Sequence, residues 1–167
     1  MAHDSGQQVR PEKPAPDVAN PGLIRPPVLY LGSIGLGLLI HWLWPFHWLP
    51  SASSLPIGIL LVVVSGALFI FAVRELRSAD TPVPGNRPTT AIVRTGPYRF
   101  SRNPIYLAFT LFQLGLAAWA NSLGLLLTLL PALTLIAMVV IPREERHLEA
   151  RFPAEYSRYK GEVRRWL

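Results

Sequence analysis

Four stretches of the chain carry no charged residue: Val28 to Trp44, Leu55 to Val73, Pro104 to Ala120 and Leu123 to Ile141, of 17, 19, 17 and 19 residues. A helix needs roughly 20 apolar residues, within a range of about 17–25, to cross the hydrocarbon of a bilayer. Barrel strands alternate apolar and polar positions, and these runs do not. A helix also satisfies all its backbone groups within the segment, as a bilayer requires. The predicted fold class is therefore all-α: a polytopic membrane protein with four transmembrane helices. Asn121-Ser122 alone separate the third and fourth, which makes a tight helical hairpin. Gly115, Gly124 and the Gly32/Gly35/Gly37 cluster offer small surfaces for close helix contact. Pro131 is expected to kink the fourth span.

Composition agrees with this pattern. Half of the 167 residues are hydrophobic, 16% are charged and the mean hydropathy is +0.31, against about 25% charged in a soluble domain. The charges also have a direction. Arg10, Lys13 and Arg25 precede the first span, six arginines lie between spans two and three, and seven Arg or Lys follow span four. The two opposite connections hold none. The positive-inside rule then places both termini and the middle loop in the cytoplasm. The net charge of +6 is read as topogenic charge and attraction to anionic lipid rather than as a nucleic-acid footprint. With no cysteine, disulfides, thiolate metal sites and a cysteine nucleophile are excluded. Residues 1–27 hold six prolines and are expected to form a disordered tail; residues 28–167 form one membrane domain.

His41-Trp42-Leu43-Trp44-Pro45-Phe46-His47-Trp48 reads as an interfacial aromatic belt, with a haem or metal site on the two histidines as the less favoured alternative. The middle loop, residues 74–103, is irregular through Pro82, Pro84, Gly85 and Pro88 and then extended at Thr90-Ala91-Ile92-Val93. Gly96-Pro97 marks a turn, Asn103 is a candidate N-cap and Pro104 suits the first helical position. A loop of this length in so small a domain is usually functional.

The fourth span continues into Arg143-Glu144-Glu145-Arg146-His147, and a helix is expected over residues 142–160. Two glutamates at a membrane boundary are costly unless paired or hydrated, and Arg143 and Arg146 are the nearest partners in sequence. A metal reading of Glu144-x-x-His147 needs a second copy of the motif, and the chain has none. Leu148, Phe152, Tyr156 and Tyr159 share a helix face. That face suits an amphipathic helix lying on the membrane or folded over the cytoplasmic site, with a break at Phe152-Pro153. Trp166 is a candidate interfacial anchor.

Thr95-Gly96-Pro97-Tyr98, Ser101-Arg102-Asn103-Pro104-Ile105-Tyr106, Glu144-Glu145, then Phe152 with Glu155-Tyr156 and Tyr159 together resemble the isoprenylcysteine carboxyl methyltransferase and phospholipid methyltransferase superfamily. These are integral membrane enzymes that use S-adenosylmethionine. The resemblance covers roughly residues 55–167. It implies a cofactor site lined by Thr90, Ala91, Ile92, Val93, Tyr98, Asn103, Pro104, Ile105, Tyr106, Glu144 and Glu145. A carboxylate such as Glu144 suits the cofactor's ammonium or a ribose hydroxyl. Arg102, the candidate catalytic residue, suits its carboxylate. Tyr98 or Tyr106 suits the adenine or the sulfonium. No metal is implied.

Asn103 stands where many members of that superfamily have histidine, and Val140 where eukaryotic carboxyl methyltransferases place an arginine against the substrate. Prenylcysteine methylation is thus not specifically implied. The expected acceptor is a lipophilic or small membrane-partitioning carboxyl, thiol or amine, and the expected location a bacterial inner membrane. An NADPH-dependent, sterol-reductase-like enzyme and a non-catalytic accessory protein are the alternatives.

Overall fold

The computed structural model describes residues 25–83 and 89–167. Residues 1–24 of the disordered tail expected over residues 1–27, and the Pro84, Gly85 and Pro88 part of the irregular loop, lie outside these. The described residues form helices and no strand. In order they are α1 (Pro26–Leu43), α2 (Ser51–Ser78), a 3-10 turn (Gly96–Arg99), α3 (Pro104–Trp119), α4 (Leu123–Leu135), a π-helical turn (Ile136–Val140), α5 (Ile141–Arg151) and α6 (Pro153–Glu162).

Three helices are long and apolar enough to cross a membrane: α1, α2, and α4 with its continuation through Arg151. Helix α3 has 16 residues, about 24 Å at the α-helical rise. Helix α2 packs along α3, and α1 along α4. Glycines set these close contacts. A Cβ at Gly37 would fall 2.7 Å from the backbone of Leu125, and one at Gly58 2.5 Å from that of Trp119. Gly115 and Gly124 meet Val62 and the Gly37 carbonyl in the same way, whereas Gly32 and Gly35 face nothing within 4 Å. The predicted glycine cluster on α1 therefore reduces to Gly37.

At one end of the bundle the two short connections hold each other. The Asn121 side chain accepts from Trp48 N–H (3.0 Å) and Leu49 N–H (2.9 Å) and donates to the Leu49 carbonyl (2.8 Å). Asn121 sits at φ 47°, a left-handed conformation that asparagine tolerates at a helix end, and the Ser122 hydroxyl caps α4 at Leu125 N–H. Every charged residue among those described lies toward the opposite end, where the middle loop, α5 and α6 gather.

Several boundaries differ from the sequence reading. Helix α1 starts at Pro26, so Pro26 and Pro27 belong to the bundle and not to the tail. Helix α2 runs to Ser78, past the expected end at Val73. Its last turns bury Ala72 and Leu76 against Val93, Tyr98 and Ile105, which favours helix through its charged residues. The 142–160 helix is two helices meeting at Phe152, as the Phe152-Pro153 step predicts. The helix continues through Pro131, and its irregularity falls later, at Ile136–Val140. Pro142 lies just beyond it. An α-helix would bring the proline ring against the Met138 carbonyl with no N–H to offer. A π turn takes up one extra residue, which rotates everything beyond it by about 100° relative to a regular α-helix.

Replacing Gly58 by alanine should destabilise the protein by about 1–3 kcal/mol, because Trp119 backbone has no room to move. Gly66→Ala, with open space around it, should be neutral or stabilising by up to about 1 kcal/mol. Thermal unfolding in detergent checks the pair.

Candidate functional site

A cavity of about 220 Å³ opens at the charged end. Ala91 to Val93, Tyr98, Arg102 to Tyr106, Glu144 and Glu145 all line it. Eleven of the twelve predicted site residues are thus brought to one place. Thr90 is the exception. Its hydroxyl donates to the Asp80 carbonyl (2.9 Å) and lies 2.8 Å from that of Thr81, and Thr81 and Thr89 reach the cavity instead.

Local chemistry explains how the loop is held. Gly96 adopts φ +56°, and a Cβ there would meet the Glu75 side chain. The Thr95 hydroxyl donates to the Glu75 carboxylate. The 3-10 turn then delivers Tyr98 inward. Asn103 does not cap α3 with its side chain. Its Nδ2 donates to the Arg165 carbonyl (2.9 Å), and its own N–H is taken by the Ser101 hydroxyl (3.1 Å). The carbonyl arriving from the segment after α6 competes successfully for the amide.

The two glutamates have different partners. Tyr106 donates its hydroxyl to Glu144 Oε1 at 2.6 Å. Glu145 pairs with Arg102 (Nη1 to Oε1, 3.1 Å) and with Arg165 (Nε to Oε1, 3.1 Å; Nη2 to Oε2, 2.6 Å). The sequence neighbours Arg143 and Arg146 are exposed and are not its partners; Arg146 donates to the Pro142 carbonyl. The side chains of Arg102 and Glu145 are each 9% exposed. Arg102 also donates to the Tyr156 hydroxyl (3.3 Å), yet its buried Nε has no hydrogen-bond partner among the described residues. A buried guanidinium donor without an acceptor is costly.

Helix α6 folds over the site rather than lying away from it. Tyr159 donates to the Tyr98 carbonyl (2.8 Å), Arg94 donates to the Glu155 carbonyl (2.6 Å), and Tyr156 is 2% exposed. Trp166 packs against the cluster of Tyr30, Tyr106 and Ile141. Burial disfavours the charged phenolate, so the Tyr156 hydroxyl is pushed up to about 12. Tyr98 and Tyr159 are raised for the same reason. Hydrogen bonding to Glu145 raises Arg165.

Tyr156 and Tyr159 share a helix face in the sequence, but nothing there marks them as site residues. Arg165 carried no signal: an arginine in a basic run shows nothing of its partner. Pro26, Phe69, Leu76 and Phe109 form an apolar wall of the cavity and were invisible inside uniformly apolar runs. Among the described residues no group of three or more His, Cys, Asp or Glu is arranged to hold a metal ion.

Residues 54–155 match the family model for phospholipid methyltransferase. The chain belongs to that family. Membership points to methyltransferase chemistry in a membrane-embedded chain. Among curated relatives it is similar to the cobalt-zinc-cadmium resistance protein CzcN of Cupriavidus metallidurans, with 39% identity over 43% of this chain and 34% of that protein. It is also similar to the nickel-cobalt-cadmium resistance protein NccN of Alcaligenes xylosoxydans xylosoxydans, with 29% identity over 68% of this chain and 49% of that protein. An uncharacterised Haemophilus influenzae protein is 44% identical over 38% of this chain and 89% of its own length. The matches thus span about a third and about half of the two metal-resistance proteins. No solved structure matches the chain.

The raised tyrosines give a pH prediction. A phenol whose pKa is raised stays protonated through the range in which a free tyrosine ionises, near pH 10. All five tyrosines of the chain are buried, so phenolate absorbance should rise little between about pH 9 and 11 while the protein stays folded. A rise in that range that is lost in Tyr98→Phe, Tyr156→Phe or Tyr159→Phe shows that tyrosine to be solvated.

Proposed function

We propose that the protein transfers a methyl group from S-adenosylmethionine to a lipophilic or small membrane-partitioning acceptor at the cytoplasmic face of a bacterial inner membrane. The observation that carries this reading is one cavity, in a phospholipid methyltransferase family chain, that joins a paired carboxylate, a buried arginine with an unused donor and an apolar wall. Helix α3 is read as the fourth span. Both termini and the charged end then face the cytoplasm, in keeping with the positive-inside rule.

The donor set fits the cofactor. Arg102, whose side chain lines the cavity, would meet the carboxylate. Glu144, oriented by the Tyr106 hydroxyl, would take the ammonium or a ribose hydroxyl. Tyr98, walled in by α6, offers a ring face to the adenine or to positive charge. When bound, the cofactor supplies an electrophilic methyl group on a sulfonium. The chain itself orients the two reactants and excludes water, which strengthens every contact around them. No side chain is asked to act as a titrating base at Asn103. The metal-resistance names of CzcN and NccN belong to those proteins, and here the reading assigns the charged cavity residues to the cofactor rather than to a metal.

In lipid nanodiscs the protein should bind S-adenosylmethionine saturably, and Glu144→Ala should weaken binding about tenfold or more, as expected when a charged hydrogen-bond partner is lost. Incubation with methyl-labelled cofactor and a membrane lipid extract should label an extractable acceptor. Thermal stabilisation by NADPH and not by S-adenosylmethionine overturns the reading in favour of a reductase. The orientation has its own test, since the chain lacks cysteine. A thiol from Ser51→Cys should react with an impermeant maleimide in intact cells, and one from Ser157→Cys only after permeabilisation; the reverse pattern overturns it.

A further inference from the structure

The segment Val163–Leu167 after α6 is tied to the cavity floor by its backbone. Arg102 N–H donates to the Arg164 carbonyl (3.0 Å). The Arg165 carbonyl accepts from Asn103 Nδ2 (2.9 Å) and from the Ser101 hydroxyl (3.4 Å). Trp166, the next residue, is wedged against the Tyr30, Tyr106 and Ile141 cluster. This strap holds the Arg165 side chain in one place, with two nitrogens on the two oxygens of Glu145. Arg165 is not among the residues lining the cavity, whereas Glu145 and Arg102 are.

The division of Glu145 between the two arginines is unequal. A buried carboxylate with one guanidinium partner takes it in two-pronged geometry. Here Arg165 occupies that geometry, and Arg102 reaches Glu145 through Nη1 alone (3.1 Å). The Nε of Arg102, on a side chain 9% exposed, is left without a partner among the described residues. Two guanidinium groups against one carboxylate also leave the trio with one net positive charge beneath the cavity.

We propose that the Val163–Leu167 segment is a positioning strap and Arg165 a positioning residue: by saturating Glu145 it keeps an Arg102 donor and a net positive charge available to the anionic group of the bound ligand. The inference rests on the reading that Arg102 meets the cofactor's carboxylate. Without Arg165, Glu145 and Arg102 would close on each other, the trio would become neutral and the donor would be withdrawn.

The test compares S-adenosylmethionine with decarboxylated S-adenosylmethionine, which keeps the sulfonium, adenosine and amine and lacks the carboxylate. Binding of each is measured to wild type, Arg165→Ala and Arg165→Lys in nanodiscs, with thermal unfolding alongside. Arg165→Ala should weaken S-adenosylmethionine about tenfold, the scale of a lost charge-assisted hydrogen bond, and leave the decarboxylated ligand unchanged. Arg165→Lys retains the charge but not the fork. It should fall between wild type and alanine for the first ligand, and it supplies a folded variant if alanine does not fold. A parallel loss of both ligands, or no loss of either, overturns the strap and makes Arg165 merely structural. Wild type that binds neither ligand overturns the cofactor reading itself.

Discussion

Glu145 is a carboxylate taken almost wholly out of water at the edge of an apolar bundle, and the charged end of the molecule is organised by the need to compensate it. An uncompensated buried charge costs several kcal/mol, roughly 3–5 when one partner of a pair is removed. Its partners come from far apart in sequence, Arg102 before α3 and Arg165 after α6. Pairing therefore requires the middle loop, α5 and the segment after α6 to converge. Once they do, the Ser101 and Asn103 side chains close on the Arg165 carbonyl, and Tyr156 meets Arg102 from α6. The glutamate next to it is turned by the same geometry toward Tyr106 and the cavity.

The bilayer-embedded half of the molecule supports this arrangement through polar residues placed inside apolar helices. Tyr30 on α1 lies 2.8 Å from the Thr110 hydroxyl and donates to the Tyr106 carbonyl (3.2 Å). Ser33 donates to Gln113 (2.6 Å), and Gln113, fully buried, donates to the Leu125 carbonyl. Each such bond adds little stability in a membrane, about 0.6 kcal/mol on average. Their larger effect is register. They fix α1 and α4 against α3 at one setting, and Tyr106 is the residue where that setting is passed to Glu144.

The apolar helices and the charged end were legible because long charge-free runs and clustered arginines have few alternative explanations, although only three of the four helices are long enough to cross a membrane. The cavity lining was legible where a chemical motif marked it, as at Tyr98, Arg102 to Tyr106 and the two glutamates. The misses have a common cause: they depend on a partner distant in sequence. Asn103 looks like a cap until the Arg165 carbonyl arrives. Thr90 looks like a lining residue until Asp80 and Thr81 take its hydroxyl. Arg143 and Arg146 are the obvious partners for Glu145 only while Arg102 and Arg165 are out of view. Helix α2 outruns its apolar stretch because Leu76 has a cluster to join.

Val140 shows what the architecture implies for the acceptor. It lies within the π turn, fully buried among Tyr30, Tyr106, Leu129 and Ile141, and it does not line the cavity. An arginine at that position would have to displace packed apolar side chains to reach a ligand. Among the described lining residues Arg102 is the one arginine or lysine, and the proposed assignment commits it to the cofactor. The lining also includes Pro26, Phe69, Leu76 and Phe109, with the two phenylalanine rings 5.6 Å apart. If Arg102 is occupied by the cofactor, His147 is the one other basic side chain in the described lining, and no second guanidinium or ammonium is left to choose an acceptor by its negative charge. On this assignment apolar shape does more to select the acceptor than a fixed positive charge does.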